Sequence, residues 1–229
     1  MKKYKVGYVA GVFDLFHIGH LNLLRNAKAE CEYLIVGVLT DELAVFFKKS
    51  PPFIPFDERK EIVDNIKFVD KTVAVDKTNI NKMKAWELYH FDCLFSGNDW
   101  QFEKSWIEDK KKLNEVGSDI FFFPYTKGTS STQIKKLISK SVPSNDKIII
   151  FGAGDKGREA LSFYGDERVA CFADNDTAKI GQIIDGHPVI SFDEVLKLMT
   201  EYKIVITVKK HEEITKRLLE NGIRDFEVY

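Results

Sequence analysis

Two histidines three residues apart, His17 and His20, sit in the stretch Gly11-Val12-Phe13-Asp14-Leu15-Phe16-His17-Ile18-Gly19-His20. At helical spacing, positions i and i+3 share a face, so both imidazoles would present N–H donors side by side. Gly11 and Gly19 let backbone come close to a ligand. The start of a helix adds free N–H groups and a positive dipole end, which suits phosphate. The chemistry such a site could do is charge stabilisation at phosphorus, with two donors on phosphate oxygens as pyrophosphate departs. Asp14 is in place to orient phosphates or a metal.

The elements that must position these residues follow from the pattern around them. Apolar Val6–Ala10 reads as a strand, and Gly19–Ala29, with Leu21, Leu24 and Ala27 at helical spacing, as a helix. Strand-like runs then alternate with amphipathic segments: strands at 33–39, 71–75, 93–96 and 120–123, helices at 57–66, 81–89, 106–116 and 132–139. Asp57 reads as the cap of its helix. This alternation predicts an α/β fold with parallel strands. The polar, proline-containing stretch 140–146 reads as a linker. A new strand at 147–151 opens a second β-α-β pattern, so we expect domains at 1–142 and 143–229.

Bulk composition excludes some functions. The 229 residues carry 34 Lys+Arg against 35 Asp+Glu, a net charge of −1, which argues against broad binding to nucleic acid or a membrane surface. The apolar N-terminal stretch is broken by Asp14 and His17. No run approaches the roughly 18 apolar residues of a spanning helix, so a cytoplasmic protein is expected. Cys31, Cys93 and Cys171 are odd in number and lack a C-x-x-C spacing, and they read as buried, reduced thiols.

The segment G-V-F-D-L-F-H-I-G-H resembles the signature of the cytidylyltransferase-like branch of the nucleotidyltransferases. That branch includes glycerol-3-phosphate, ethanolamine-phosphate and choline-phosphate cytidylyltransferases and, more distantly, some adenylyltransferases. The resemblance spans residues 5 to 138, and further segments match in order. Lys49-Ser50-Pro51-Pro52 followed by Asp57-Glu58-Arg59 is similar to the family's lysine loop and E-R helix. The resemblance implies a lysine on the CTP triphosphate, Lys49 first and Lys48 as its rival. Ile66-Lys67-Phe68-Val69-Asp70 resembles R-Y-V-D, with Lys67 where arginine is usual. Gly97-Asn98-Asp99-Trp100 resembles the nucleotide-holding G-D-D-W, with Asn98 in place of the first aspartate. Tyr125-Thr126-Lys127-Gly128-Thr129-Ser130-Ser131-Thr132 resembles R-T-x-G-I-S-T-T, in which Ser130, Ser131 and Thr132 would donate hydroxyls to phosphate at a helix start.

The resemblance implies a Rossmann-like nucleotidyltransferase domain in which His17, His20 and Lys49 are catalytic. Gly11, Val12, Phe13, Asp14, Gly97, Asp99, Trp100, Thr126, Ser130, Ser131 and Thr132 would bind the nucleotide. The acceptor phosphate would attack the α-phosphorus of CTP in line, with Mg²⁺ on the triphosphate and charge neutralisation by the histidines and lysine. The sequence contains no independent metal cage. Lys67, Tyr125 and Lys127 would meet the acceptor. Tyr125 stands where the family has arginine, and a phenol supplies one hydrogen bond but no charge, which Lys127 could provide instead. The implied partners are CTP and a small phosphorylated alcohol, with glycerol 3-phosphate first and ethanolamine phosphate its rival, acting in a homodimer.

In the second half, Gly152, Gly154 and Gly157 form G-x-G-x-x-G after a strand, and Asp174 follows 22 residues beyond Gly152. These are features of a dinucleotide-binding fingerprint. With Asp174-Asn175-Asp176 and Gly186-His187-Pro188-Val189, the half resembles small Rossmann-like modules attached to sugar-modifying and methyl-transferring enzymes. It is expected either to bind a nucleotide or sugar nucleotide, or to be structural. An NAD-dependent oxidoreductase is the reading from a different class. His187 and His211 read as surface residues.

Overall fold

The computed structural model describes residues 2–124, 131, 134, 147–198 and 202–229. The chain divides into two units, one of Met1–Leu43 with Pro52–Lys140, the other of Ala44–Pro51 with Ser141–Tyr229. The expected helix at 132–139 and the linker at 140–146 lie outside the described residues, apart from Ile134.

The first unit is built on five strands, β1 (Tyr4–Gly11), β2 (Cys31–Leu39), β3 (Lys71–Val75), β4 (Cys93–Gly97) and β5 (Asp119–Phe123). All pair in parallel, in the order β3-β2-β1-β4-β5. Among the described residues the helices that follow them are α1 (Ile18–Glu30), α2 (Asp41–Lys48), α3 (Phe56–Asp64), α4 (Lys82–Tyr89) and α5 (Lys104–Glu115). Strand residues alternate between faces, so consecutive apolar residues feed two different cores. Val9, Leu34, Val36 and Phe95 pack with Leu24 and Ala27 of α1 and Val63 of α3. Tyr8, Ile35 and Leu94 pack on the other face with Ala85 of α4 and Leu113 of α5. This explains why the strands read as continuous apolar runs instead of alternating ones. Each such fully buried side chain stabilises by about 1.5–3 kcal/mol.

The strand order reverses direction between β1 and β4, and the crevice outside the strand ends at such a switch point is where open α/β sheets bind ligands. Gly11 ends β1 and Gly97 ends β4. The histidine segment and the Gly97–Trp100 segment therefore leave the sheet at neighbouring strand ends.

Three local expectations change. α2 is unforeseen: Asp-Glu-Leu-Ala-Val-Phe-Phe-Lys is helical and short, and it follows β2 with one residue between. α3 is capped by Pro55, with Asp57 in its first turn beside Glu58, where both carboxylates meet the positive dipole end. Asn81 is the cap of α4, its side-chain oxygen accepting from the N–H groups of Met83 and Lys84.

The second unit carries a mixed sheet ordered β11-β10-β6-β7-β9-β8. Its strands are β6 (Ile148–Phe151), β7 (Val169–Ala173), β8 (Ile183–Ile184), β9 (His187–Ile190), β10 (Lys203–Ile206) and β11 (Phe226–Val228). Only the β8–β9 pair is antiparallel among the described strands. The helices are α6 (Asp155–Tyr164), α7 (Phe192–Leu198) and α8 (Glu212–Glu220). Ile149 and Phe151 face Val195 of α7 and Leu218 of α8, while Ile148 and Ile150 face Ala160 of α6. Val45, from the Ala44–Pro51 segment, is buried in the first of these clusters. Among the described residues no helix is long and apolar enough to cross a membrane.

Packing already accounts for two of the three motif glycines. Gly152 has φ +117°, where L side chains are strained, and a Cβ on Gly157 would lie 2.0 Å from the Gly152 carbonyl oxygen. A Cβ on Gly154 would meet nothing within 4 Å. Gly157→Ala should therefore destabilise the protein by about 1–3 kcal/mol through overpacking, while Gly154→Ala should stay within about 1 kcal/mol of the parent. Calorimetric Tm values for the two variants check this, and equal values would refute the packing account.

Candidate active site

The site grows from the start of α1. His17 is its N-cap, with extended backbone, and its Nδ1 accepts from the N–H of Gly19 at 3.0 Å. His20 reaches back, its Nδ1 accepting from the backbone N–H of His17 at 3.4 Å. The pair forms a capping box made of two imidazoles, in which each satisfies an N–H that the first turn leaves unpaired. An Nδ1 that accepts carries no proton, so both neutral rings hold theirs on Nε2. The rings stack with centroids 3.9 Å apart and planes 28° from parallel. The helix cap thus fixes two Nε2–H donors in register. That of His17 lies 3.3 Å from Ser131 Oγ, which brings one residue of the Thr126–Thr132 segment onto the histidines.

Burial decides the charge of this pair. The His17 imidazole is held below its ordinary value by desolvation. His20 is pushed down to about 4 by burial first and by the neighbouring His17 second, with Asp14 opposing. Phe13 and Phe16 supply much of the apolar cover, each with its ring centre 5.4 Å from that of His20. At neutral pH both histidines are uncharged donors. The sequence pattern alone gave no sign of this neutrality, which burial imposes.

The loop that delivers them is bent sharply. Phe13 and Leu15 have φ of +53° and +49°, left-handed values that cost of order 1–3 kcal/mol each for bulky residues. The bend favours glycine at position 11, because a Cβ there would lie a tight 3.1 Å from the Phe13 ring. Asp14 is 5% exposed, and its Oδ1 accepts from the backbone N–H of Ile54 at 3.1 Å. The structure thus gives Asp14 a loop-anchoring contact that its sequence position did not suggest.

Arg59, which the sequence offered only as part of the E-R helix resemblance and with no role of its own, organises this loop. Arg59 on α3 is 0% exposed. Its Nη1 donates to the Val12 carbonyl, its Nε to the Ile54 carbonyl at 2.9 Å, and its Nη2 to the Leu39 carbonyl at 2.8 Å and Asp41 Oδ1 at 2.7 Å. The signal in the sequence was an arginine on the inward side of a helix, where a charge is rarely buried without a partner.

The remaining candidates fall into four groups. Gly97 ends β4, and Asn98–Trp100 form a 3-10 turn, with Trp100 47% exposed and its ring stacked 6.1 Å from that of Trp106. Lys67 follows α3, its Nζ 5.3 Å from the centre of the Phe68 ring. Lys49 follows α2 at φ +61°, lies in the segment that groups with the second unit, and accepts at its carbonyl from the Val228 N–H at 2.8 Å. Tyr125, Thr126, Lys127, Ser130 and Thr132 lie outside the described residues.

In the second unit Asp174 follows β7. Burial raises its carboxyl, and the N–H groups of Asp176 and Ala153 with the Lys179 ammonium outweigh this and hold it below the ordinary carboxylate range. A cavity of about 140 Å³ beside it is lined by Phe151, Asn175, Lys210 and Glu213 among others. That is below the roughly 300 Å³ at which small-molecule pockets begin. His187 departs from expectation: it is 9% exposed, with Nε2 2.9 Å from Asp166 Oδ1. The three cysteines are free and buried, and burial pushes Cys31 and Cys171 up to about 11 and Cys93 to about 12.

Comparison with known proteins separates the two halves. Residues 8–137 match the profile of the family described as Cytidylyltransferase-like, and residues 144–229 match that described as C2185-like, N-terminal. The chain is 30% identical over 129 residues to the glycerol-3-phosphate cytidylyltransferase of Bacillus subtilis, covering 56% of this chain and 93% of that enzyme. It is 36% identical over 95 residues to the ethanolamine-phosphate cytidylyltransferase of Arabidopsis thaliana, covering 40% and 22%. To the FAD synthase of Thermococcus sibiricus it is 28% identical over 142 residues, covering 62% and 95%.

The depressed imidazoles give a pH signature. The unfolded chain takes up protons near pH 6.5 that the folded His20 refuses until about pH 4. The stability this group contributes is therefore whole above pH 6.5 and is lost as pH falls through that window. Between about pH 7 and pH 5, His20→Gln should lose about 1–2 kcal/mol less than the parent in urea unfolding. Identical pH dependence in both proteins would show that His20 is not held neutral.

Proposed function

The chain belongs to the cytidylyltransferase-like family, by its match over residues 8–137, and on that premise we propose that it transfers CMP from CTP to a small phosphorylated alcohol. The observation that carries this reading is the stacked pair of Nε2–H donors at the start of α1, beside the crevice where the sheet reverses direction. We put glycerol 3-phosphate first as acceptor, supported by the Bacillus subtilis relative, which the match covers almost end to end. Ethanolamine phosphate is second, supported by the Arabidopsis relative.

In this reading an oxygen of the acceptor phosphate attacks the α-phosphorus of CTP. The bond from that phosphorus to the bridging oxygen breaks, and pyrophosphate leaves with the electron pair. The acceptor phosphate is already ionised, so no base is required. The Nε2–H groups of His17 and His20 donate to phosphate oxygens and strengthen as charge develops. Lys49 would supply positive charge at the triphosphate, and a Mg²⁺ ion bound with the nucleotide would add to it. Among the described residues no cluster of three or more His, Cys, Asp or Glu side chains could hold a metal ion. Asp99 and Trp100 would flank the nucleotide. Ser131, with Thr126, Ser130 and Thr132, would meet phosphate, and Tyr125, Lys67 and Lys127 the acceptor. The FAD synthase relative supports a second reading, with ATP as donor.

A pyrophosphate-release assay with CTP and ATP against a panel of phosphorylated acceptors tests the proposal. CTP should be preferred, and turnover with ATP alone would favour the second reading. His17→Ala and His20→Ala should each lower kcat by at least about a hundredfold in a folded protein, as loss of a transition-state donor does. Normal turnover in both would remove the mechanism. Lys127→Ala should cost about tenfold to a hundredfold in kcat/KM, the loss of one charge-assisted contact, and unchanged kinetics with every acceptor would assign that charge elsewhere.

A further inference from the structure

Within the first unit, the loop from Gly11 to Phe16 is tethered from two sides. On one side Arg59 Nη1 holds the Val12 carbonyl, and on the other the Ile54 N–H holds Asp14 Oδ1. Both tethers run through one hub, since Arg59 Nε also holds the Ile54 carbonyl. Phe13, between the two tethered residues, and Leu15, next to Asp14, are the residues of this loop with left-handed backbone. Their conformation persists only if its surroundings over-determine it. Phe13 is 3% exposed, with its ring edge-on to His20. A relaxation of φ at Phe13 would swing that ring off the imidazole and shift the start of α1.

We propose that Arg59 is a positioning residue: its guanidinium, anchored on Asp41 and the Leu39 carbonyl, holds the Gly11–Phe16 loop in its left-handed bend and so sets His17 and His20. A buried lysine keeps the charge but cannot reproduce a planar fork that reaches three carbonyls and a carboxylate at once. The kinetic consequence rests on the transfer reading above, while the structural one does not.

The test uses the full chain, with Arg59→Lys as the variant and two readouts. By hydrogen exchange, the amides of Phe13–Phe16 should exchange at least about tenfold faster than in the parent, with those of β2 and β3 unchanged. In the pyrophosphate assay, kcat should fall about ten- to a hundredfold while the KM for CTP moves less than about threefold. Adding Leu15→Gly, which accepts a left-handed backbone without strain, should restore at least about a third of the lost kcat. A structural role alone predicts no such rescue. Should Arg59→Lys fail to fold, Asp41→Glu keeps both charges, moves the anchor by one methylene, and is read in the same way. A folded variant with parental exchange in the loop overturns the proposal. An inactive parent overturns the transfer reading instead, and the exchange measurement still decides for Arg59.

Discussion

A buried guanidinium is the constraint on which the first unit's site depends. Taking a charge out of water costs several kcal/mol, and the cost is offset only where geometry satisfies nearly every donor. Arg59 meets that condition with one carboxylate and three carbonyls. Those carbonyls belong to the end of β2, the loop after β1 and the stretch before α3. Leu39 is the last residue of β2, and Val12 and Ile54 lie outside the strands and helices. Arg59 is thus the residue that turns three chain ends into one rigid corner, and the histidine loop is one side of it.

Rigidity of that corner has an electrostatic consequence. The same loop that positions His17 and His20 covers them with Phe13 and Phe16, and the cover keeps both rings neutral. Neutral imidazoles have a fixed tautomer here, because each Nδ1 is committed to a backbone N–H of the helix cap. In the proposed transfer, a phosphate would meet two imidazoles whose tautomer is already set. Preorganised donors of this kind stabilise developing charge without reorganising, which is the larger part of what such sites contribute.

The second unit shows how a motif can be shared between packing and binding. Gly152 and Gly157 of the G-x-G-x-x-G run are required by the tight turn from β6 into α6, and only Gly154 faces open space. Asp174, the acidic residue at the expected distance, is already engaged by two backbone N–H groups and a lysine. Its fingerprint is therefore explained largely by the turn itself. The segment Ala44–Pro51 groups with this unit through the buried Val45 and the bond between Lys49 and Val228.

The sequence by itself determined the alternation of strands and helices, the placement of the histidines at a helix start, and the spacing of the segments that resemble the family. These are local properties: periodicities of two and 3.6, glycines at turns, and the spacing of polar side chains along one element. It did not determine α2, which is too short and too close to β2 for its period to stand out. Nor did it determine the burial of His187, the part Asp14 plays as an anchor, or the neutrality of the two imidazoles. Arg59 is the clearest case. Its partners lie 5 to 47 residues away, and a hydrogen bond across such separations leaves no periodic trace. Burial, tautomer and charge state are set by what packs around a group, and only the tertiary structure decided them.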